Sequence, residues 1–245
     1  MPVAAPAPTA PDGRPAVTSE PADVPTKVTL KLVKSNIKAK KLIEGANDVM
    51  KAMGYTEHGQ RHVGMVSSIT RYILEGLELP PRTVELAQIA AYLHDIGNVI
   101  HRVGHPMHGA NIAFVILNEI GMDAGEIAPI LGAIGNHEEL TGSPVSVMSA
   151  ALIIADKSDV HFSRVQNPLP ETFDIHDRVN FAVQRSRVEM HPDTKTLALN
   201  LEIDTERASV MDYFEIFLSR MIMCRMACQT LGATFALRVN GTVLD

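Results

Sequence analysis

The sequence predicts a mainly α fold: a helical bundle followed by a small C-terminal α+β subdomain of antiparallel strands and one long helix. Three observations carry this. Up to about residue 166 apolar residues recur at helical spacing in successive segments separated by Gly and Pro. After Pro170 the apolar residues alternate with polar ones, as in strands, before a Met-rich helical run near the end. A chain of 245 residues, 46% hydrophobic and 20% charged, suits one large domain or a domain with a small appendage, and needs no disulfide scaffold.

Taken in order, residues 1–26 hold seven of the fifteen prolines and almost no large apolar side chain, which predicts a disordered Pro/Ala-rich tail. From Ser35 to Met53 a helix is expected, closed by Gly54. A second follows Thr56, with His58, His62, Val66, Ile69 and Ile73 on one inward stripe. The third begins after Pro80-Pro81 and sets Leu86, Ala90, Leu93, His94 and Gly97 on one side. Helices are expected at 107–120 and 123–137, then from a Ser143-Pro144 cap to about 164, with Asp156 on the apolar face of Met148 and Leu152. A hairpin carries Val179, Phe181 and Val183 on one arm and Leu197 to Ile203 on the other. A helix at 205–231 ends at Gly232, and a last strand runs through Phe235, Leu237 and Val239. The expected divisions are a tail (1–26), a helical domain (27–166) and an α+β subdomain (167–245).

Lys and Arg number 22 against 28 Asp and Glu, and there is no Trp, so the basic stripe and stacking platforms of a general nucleic-acid binder are missing. No apolar run approaches the ~18–20 residues of a membrane span, so a cytoplasmic protein is expected. Cys224 and Cys228 read as reduced core residues.

Chemistry concentrates in one stretch. Seven of the ten histidines (His58, His62, His94, His101, His105, His108, His137) fall between residues 58 and 137. Asp95 and Asp156 join them on core-facing helices. A buried carboxylate needs a compensating cation or donors. Imidazole and carboxylate ligands gathered from several helices suit divalent Fe, Mn, Zn, Co or Ni.

The order His58, His94-Asp95, His105, His137, Asp156 resembles the HD superfamily of metal-dependent phosphohydrolases. The quoted elements are His58-Gly-Gln-Arg61, His94-Asp95-Ile96-Gly97, His105-Pro-Met-His-Gly109, Ile134-Gly-Asn-His137-Glu138 and Ala155-Asp156-Lys157. The resemblance implies an HD-type bundle with one metal held by His58, His94, Asp95 and Asp156. It also implies a second ion held by His105 and His137 and bridged by Asp95. Two such ions suit a bridging hydroxide attacking a phosphate ester. Lys157 and Arg61 are then candidates for binding substrate phosphate, beside Asp95 as catalytic residues. His62 and His101 read as packing or supporting residues, and His108 as a competitor of His105.

This chain departs from the family's cyclic-dinucleotide branch: Glu138 stands where that branch has a second His, Asn98 where a Lys often follows the motif, and Thr141-Gly-Ser-Pro144 where Gly-Tyr-Pro is usual. The expected activity is therefore phosphohydrolase or phosphodiesterase chemistry on a nucleotide-like phosphate ester. The alternatives are a di-iron oxygenase on the same bundle and a non-catalytic metal-binding sensor. The expected partners are a small phosphate ester and, through the C-terminal subdomain, a second copy of the chain, but no membrane.

Overall fold

The computed structural model describes residues 27–244; the expected N-terminal tail lies outside them. Nine helices and one four-stranded sheet make up the described part. Thr29 caps a short α1 (Leu30–Ser35), and Asn36, which ends it, caps α2 (Ile37–Ala52) by accepting from Ala39 N. Helix α3 (Gln60–Gly76) begins only after Gly59, so His58 lies ahead of the helix while His62 lies within it. The expected histidine stripe is thus divided at the helix boundary. Helix α4 (Pro81–Leu93) starts at the expected proline and delivers His94-Asp95 at its C-terminal end, where a single tight turn (Ile96–Val99) follows.

Helices α5 (His105–Glu119) and α6 (Ala124–Gly135) follow the sequence reading closely. Helix α7 (Val147–Ser158) is capped by Ser146 rather than Ser143 and stops six residues short of the expected end. It stops there because the next residues turn back to the start of α3, where Arg164 O accepts from Glu57 N at 2.7 Å.

The alternation at 179–183 misleads. Asp174 accepts from Asp177 N and starts α8 (Ile175–Ala182), and the strand β1 (Val183–His191) begins only afterwards. Local capping outweighs a three-residue β pattern. β1 pairs antiparallel with β2 (Thr196–Ile203), as expected. Helix α9 (Val210–Thr230) opens with a capping box of Ser209 and Asp212, five residues later than the sequence suggests. It acts as a crossover, so β3 (Thr234–Val239) pairs parallel with β2, and β4 (Thr242–Leu244) completes the order β1-β2-β3-β4. The sheet is therefore mixed rather than wholly antiparallel.

Helices α3, α4, α6 and α7 pack together, and α9 lies along α7. One hydrophobic core runs from Val33 and Ile43 through Leu93 and Leu152 to Phe217 and Leu237, across the expected 166/167 division. No helix of the described residues is long and apolar enough to cross a membrane.

One close approach positions the histidines. A Cβ on Gly97 would stand 2.0 Å from His105 O and 2.4 Å from Gly109 N, and one on Gly109 would stand 2.9 Å from His94 O. The turn after Asp95 thus rests directly on the backbone of α5. We expect Gly97→Ala to cost at least about 1–3 kcal/mol, since backbone rather than a flexible side chain must give way. A urea unfolding curve within about 0.5 kcal/mol of wild type would contradict this packing.

Candidate metal centre

Four imidazoles converge on Asp95. His62 comes from the first turn of α3, His94 from the end of α4, His105 from the start of α5 and His137 from just beyond α6. All four are buried, with Asp95 only 3% exposed. Each ring is fixed through Nδ1: His94 to Ala91 O at 2.8 Å, His105 to Arg102 O at 2.9 Å, His137 to Ile134 O at 2.6 Å. A carbonyl oxygen only accepts, so Nδ1 carries the proton in each. His62 Nδ1 lies 2.7 Å from the Asp159 carboxylate, which fixes the same tautomer.

The four Nε2 atoms are therefore turned inward and face one another in two pairs. His62 Nε2 lies 3.3 Å from His94 Nε2, and His105 Nε2 lies 3.0 Å from His137 Nε2. Two lone pairs at that separation repel unless a positive charge lies between them. Carboxylates reinforce the demand. Asp95 Oδ2 is 3.4 Å from His62 Nε2 and 3.3 Å from His94 Nε2, and Asp156 Oδ1 is 3.3 Å and 3.6 Å from the same two atoms. The other oxygen, Asp95 Oδ1, faces His105 Nε2 at 3.4 Å and His137 Nε2 at 3.8 Å. Asp95 thus turns one oxygen to each histidine pair.

Three sets of ligand atoms lie within 4.8 Å of one another: His62, His94 and Asp156; His94, Asp95 and His137; and His105, His137 and Glu138. The donors are all imidazole nitrogen or carboxylate oxygen, a set that suits a divalent transition ion. Cys224 and Cys228 are buried in α9, and burial pushes the Cys228 thiol up to about 12, so no thiolate competes. Burial opposes a charged His94, yet Asp95 and Asp156 outweigh it and carry that imidazole up to about 10, a direct sign of how strongly this point draws positive charge. Burial and the adjacent His137 instead hold His105 down at about 3.

The placement of the sequence candidates is uneven. His94, Asp95, His105, His137 and Asp156 meet as expected. His58 does not join any of the three sets: its Nδ1 donates to Thr56 O at 2.6 Å and the residue lines both the small inner cavity and the cleft outside it, while His62 takes the central position. The reason is the start of α3 at Gln60, which puts only His62 on the helical face toward α4 and α7. Glu138 does join His105, with Oε2 3.4 Å from Nε2. His108 and the exposed His101 stay outside all three sets.

Arg61 is likewise displaced from its expected role. Its guanidinium is engaged by Glu57 at 2.9 Å and Asp159 at 2.8 Å, and it lines neither cavity at the centre. It braces Asp159, which braces His62. Lys157 is buried at the cavity wall, with Nζ 2.9 Å from Asp156 Oδ2 and 2.6 Å from Glu139 Oε2. By holding Oδ2 it turns Asp156 Oδ1 toward the imidazoles. Asn98 donates to Asp95 Oδ1 at 2.8 Å and so fixes that carboxylate.

Sequence reasoning missed the cationic rim. Arg102, Arg164 and Arg220 line both the small inner cavity and a cleft of about 460 Å³ that opens from it. Arg164 spends its donors on Glu57 O and Asp159 O. Arg220, from α9, pairs through Nε with Glu139 Oε1 at 3.1 Å and stacks over Phe217; its Nη groups have no protein partner among the described residues. Burial would raise the Glu139 carboxyl, but Lys157 and Arg220 hold it well below its ordinary range. Helix α8 adds Asp174, His176 and Asn180 to the cleft wall. No local motif announces Arg220 or the α8 residues, because they arrive from beyond the expected domain boundary.

Comparison with known proteins agrees with this geometry. Residues 59–161 match the family model of the HD domain. The chain is also 25% identical over 177 residues, covering 63% of it and 67% of the relative, to the uncharacterized protein MJ1020 of Methanocaldococcus jannaschii. The match over residues 59–161, which carry His62, His94-Asp95, His105, His137 and Asp156, is consistent with the HD-domain superfamily, a helical fold of metal-dependent hydrolase type.

Proposed function

We propose that this chain is a phosphohydrolase or phosphodiesterase that uses two divalent transition ions to cleave a nucleotide-like phosphate ester. The observation that carries the reading is the pairing of four inward-facing Nε2 atoms across the two oxygens of Asp95, beneath a rim of arginines, one of which, Arg102, reaches His105 Nε2 at 3.2 Å. His62, His94, Asp95 and Asp156 form one ligand set, and His105, His137, Glu138 and Asp95 the other. Ions bound there would supply a lowered water pKa and neutralise charge on phosphoryl oxygens. Arg102 and Arg220, at the junction of the inner cavity and the cleft, are suited to hold the phosphate, and Lys157 keeps Asp156 oriented. A cationic rim favours an anionic ester over a neutral oxygenase substrate.

Metal content is the first check. Protein reconstituted without oxygen should bind about two ions per chain. Asp95→Ala should lose both, and His62→Ala should lose an ion that His58→Ala retains. Asp159→Asn should weaken binding about 10–100-fold, by freeing the His62 ring. Retention of two ions by His62→Ala would refute the ligand assignment.

A panel of phosphate esters with Mn(II) or Fe(II) under anaerobic conditions checks the reaction. Phosphate or nucleotide release should appear without oxygen, and Arg220→Ala should raise KM about tenfold or more. Turnover that requires oxygen would point to the oxygenase reading instead.

A second copy of the chain suits the outward face of α9. Leu218, Ile222 and Met226 are 52%, 43% and 44% exposed there, opposite the face that carries Phe217 and Arg220. In an antiparallel α9 pair with its two-fold axis beside residue 220, Leu218 meets Ile222 of the other copy and Glu215 meets Arg225. Glu215 and Arg225 are exposed, and neither has an intrachain ion pair among the described residues. Sedimentation should therefore give a dimer. Leu218→Glu should yield a monomer, and Glu215→Arg should weaken association in a way that Arg225→Glu repairs. A wild-type monomer at 100 µM, on the order of the weakest affinity of interest, would exclude this interface.

A further inference from the structure

The inner cavity lined by Asp95, His105, His137 and Asp156 opens in two directions. One is the 460 Å³ cleft already described, where Arg102, Arg164 and Arg220 gather with Tyr55 and Phe217. The other is a cleft of about 420 Å³ that shares Arg102, His105 and Glu138 with the inner cavity. Its chemistry is different. Val103, Pro106, Met107 and Leu140 form its walls, and the only charged side chains, Arg102 and Glu138, face each other at 3.3 Å. Val103, Met107 and Leu140 are 76%, 64% and 82% exposed, an unusual collection of large apolar side chains beside a highly charged centre.

A phosphate monoester has one organic substituent and needs one such cleft. A phosphodiester has two, on either side of the phosphorus. We propose that the substrate is a phosphodiester with one polar and one apolar substituent, and that the Val103–Leu140 cleft receives the apolar alcohol as the leaving group. This rests on the hydrolase reading above. The retained phosphate lies on the Arg102 and Arg220 side, where its negative charge is met by cations; the departing alcohol lies in the cleft whose two charged side chains, Arg102 and Glu138, are paired with each other. In the reaction R–O–PO2⁻–O–R′ + H2O → R–O–PO3H⁻ + R′OH, a bond forms between water oxygen and phosphorus. The bond from phosphorus to the R′ oxygen breaks, and a water proton passes to that oxygen. The Arg102–Glu138 pair stands between the two clefts and separates the two substituents.

The test uses the metal-loaded full chain and the methyl, butyl and octyl diesters of thymidine 5′-monophosphate. KM from turnover and Kd from calorimetry should both fall about tenfold or more from methyl to octyl. Leu140→Glu and Met107→Glu, both at exposed positions, should flatten that series, whereas Leu218→Glu on the remote face of α9 should leave it intact. Hydrolysis or binding independent of chain length overturns the apolar subsite, as does a series unaffected by both variants; the latter would assign the apolar rim to a protein partner. If none of the esters is hydrolysed but calorimetry still shows the graded binding and its loss in Leu140→Glu, the subsite stands and the hydrolase reading falls.

Discussion

The Nδ1 hydrogen bonds of four histidines govern the centre. Three of them end on main-chain carbonyls at helix ends, Ala91, Arg102 and Ile134, and the fourth on Asp159. Since each ring is held through its protonated nitrogen, rotation cannot relieve the repulsion between the Nε2 lone pairs. Three main-chain carbonyls and the Asp159 carboxylate therefore enforce a concentration of inward-facing nitrogens that added positive charge satisfies. Asp95 and Asp156 deepen the requirement rather than answer it, because they add negative charge to the same point.

Around that point the protein places its own cations one step removed. Arg61 and Arg164 hold Asp159, Lys157 holds Asp156 and Glu139, and Arg102 holds Glu138. These cations orient the carboxylates, and Arg102 alone also reaches an imidazole nitrogen, with Nη1 3.2 Å from His105 Nε2. Gly97 and Gly109 make the arrangement geometrically possible, by letting the turn after Asp95 rest against α5 so that His105 and His94 reach opposite oxygens of one carboxylate.

Much of this was legible in the sequence. Helical spacing and the ordered motif led to α4 through α6 and to His94, Asp95, His105, His137 and Asp156, which the structure brings together. Periodicity put His58 and His62 on one stripe, whereas the helix start at Gln60 separates them and sets His62 rather than His58 among the three ligand sets. A usable signal was present: Asp159 falls three residues after Asp156, where it can brace a histidine from α3. Arg61 looked free in sequence, but its partners Glu57 and Asp159 are set by the return of the chain at Arg164. The helix at 175–182 was hidden by an alternation too short to outweigh its Asp174 cap. Arg220 and the cleft walls from α8 were not legible at all, since their proximity to the centre depends on α9 lying along α7.

The central claim concerns which nitrogen of each ring faces the centre. It is tested most directly by nitrogen NMR of 15N-histidine-labelled protein titrated with Zn(II), following the ring nitrogens of His62, His94, His105 and His137. The account predicts that all four keep a protonated Nδ1 throughout, and that all four Nε2 resonances shift together on saturation with about two equivalents of zinc. Protonated Nε2 atoms in the zinc-saturated protein, or Nε2 resonances indifferent to zinc, would contradict it.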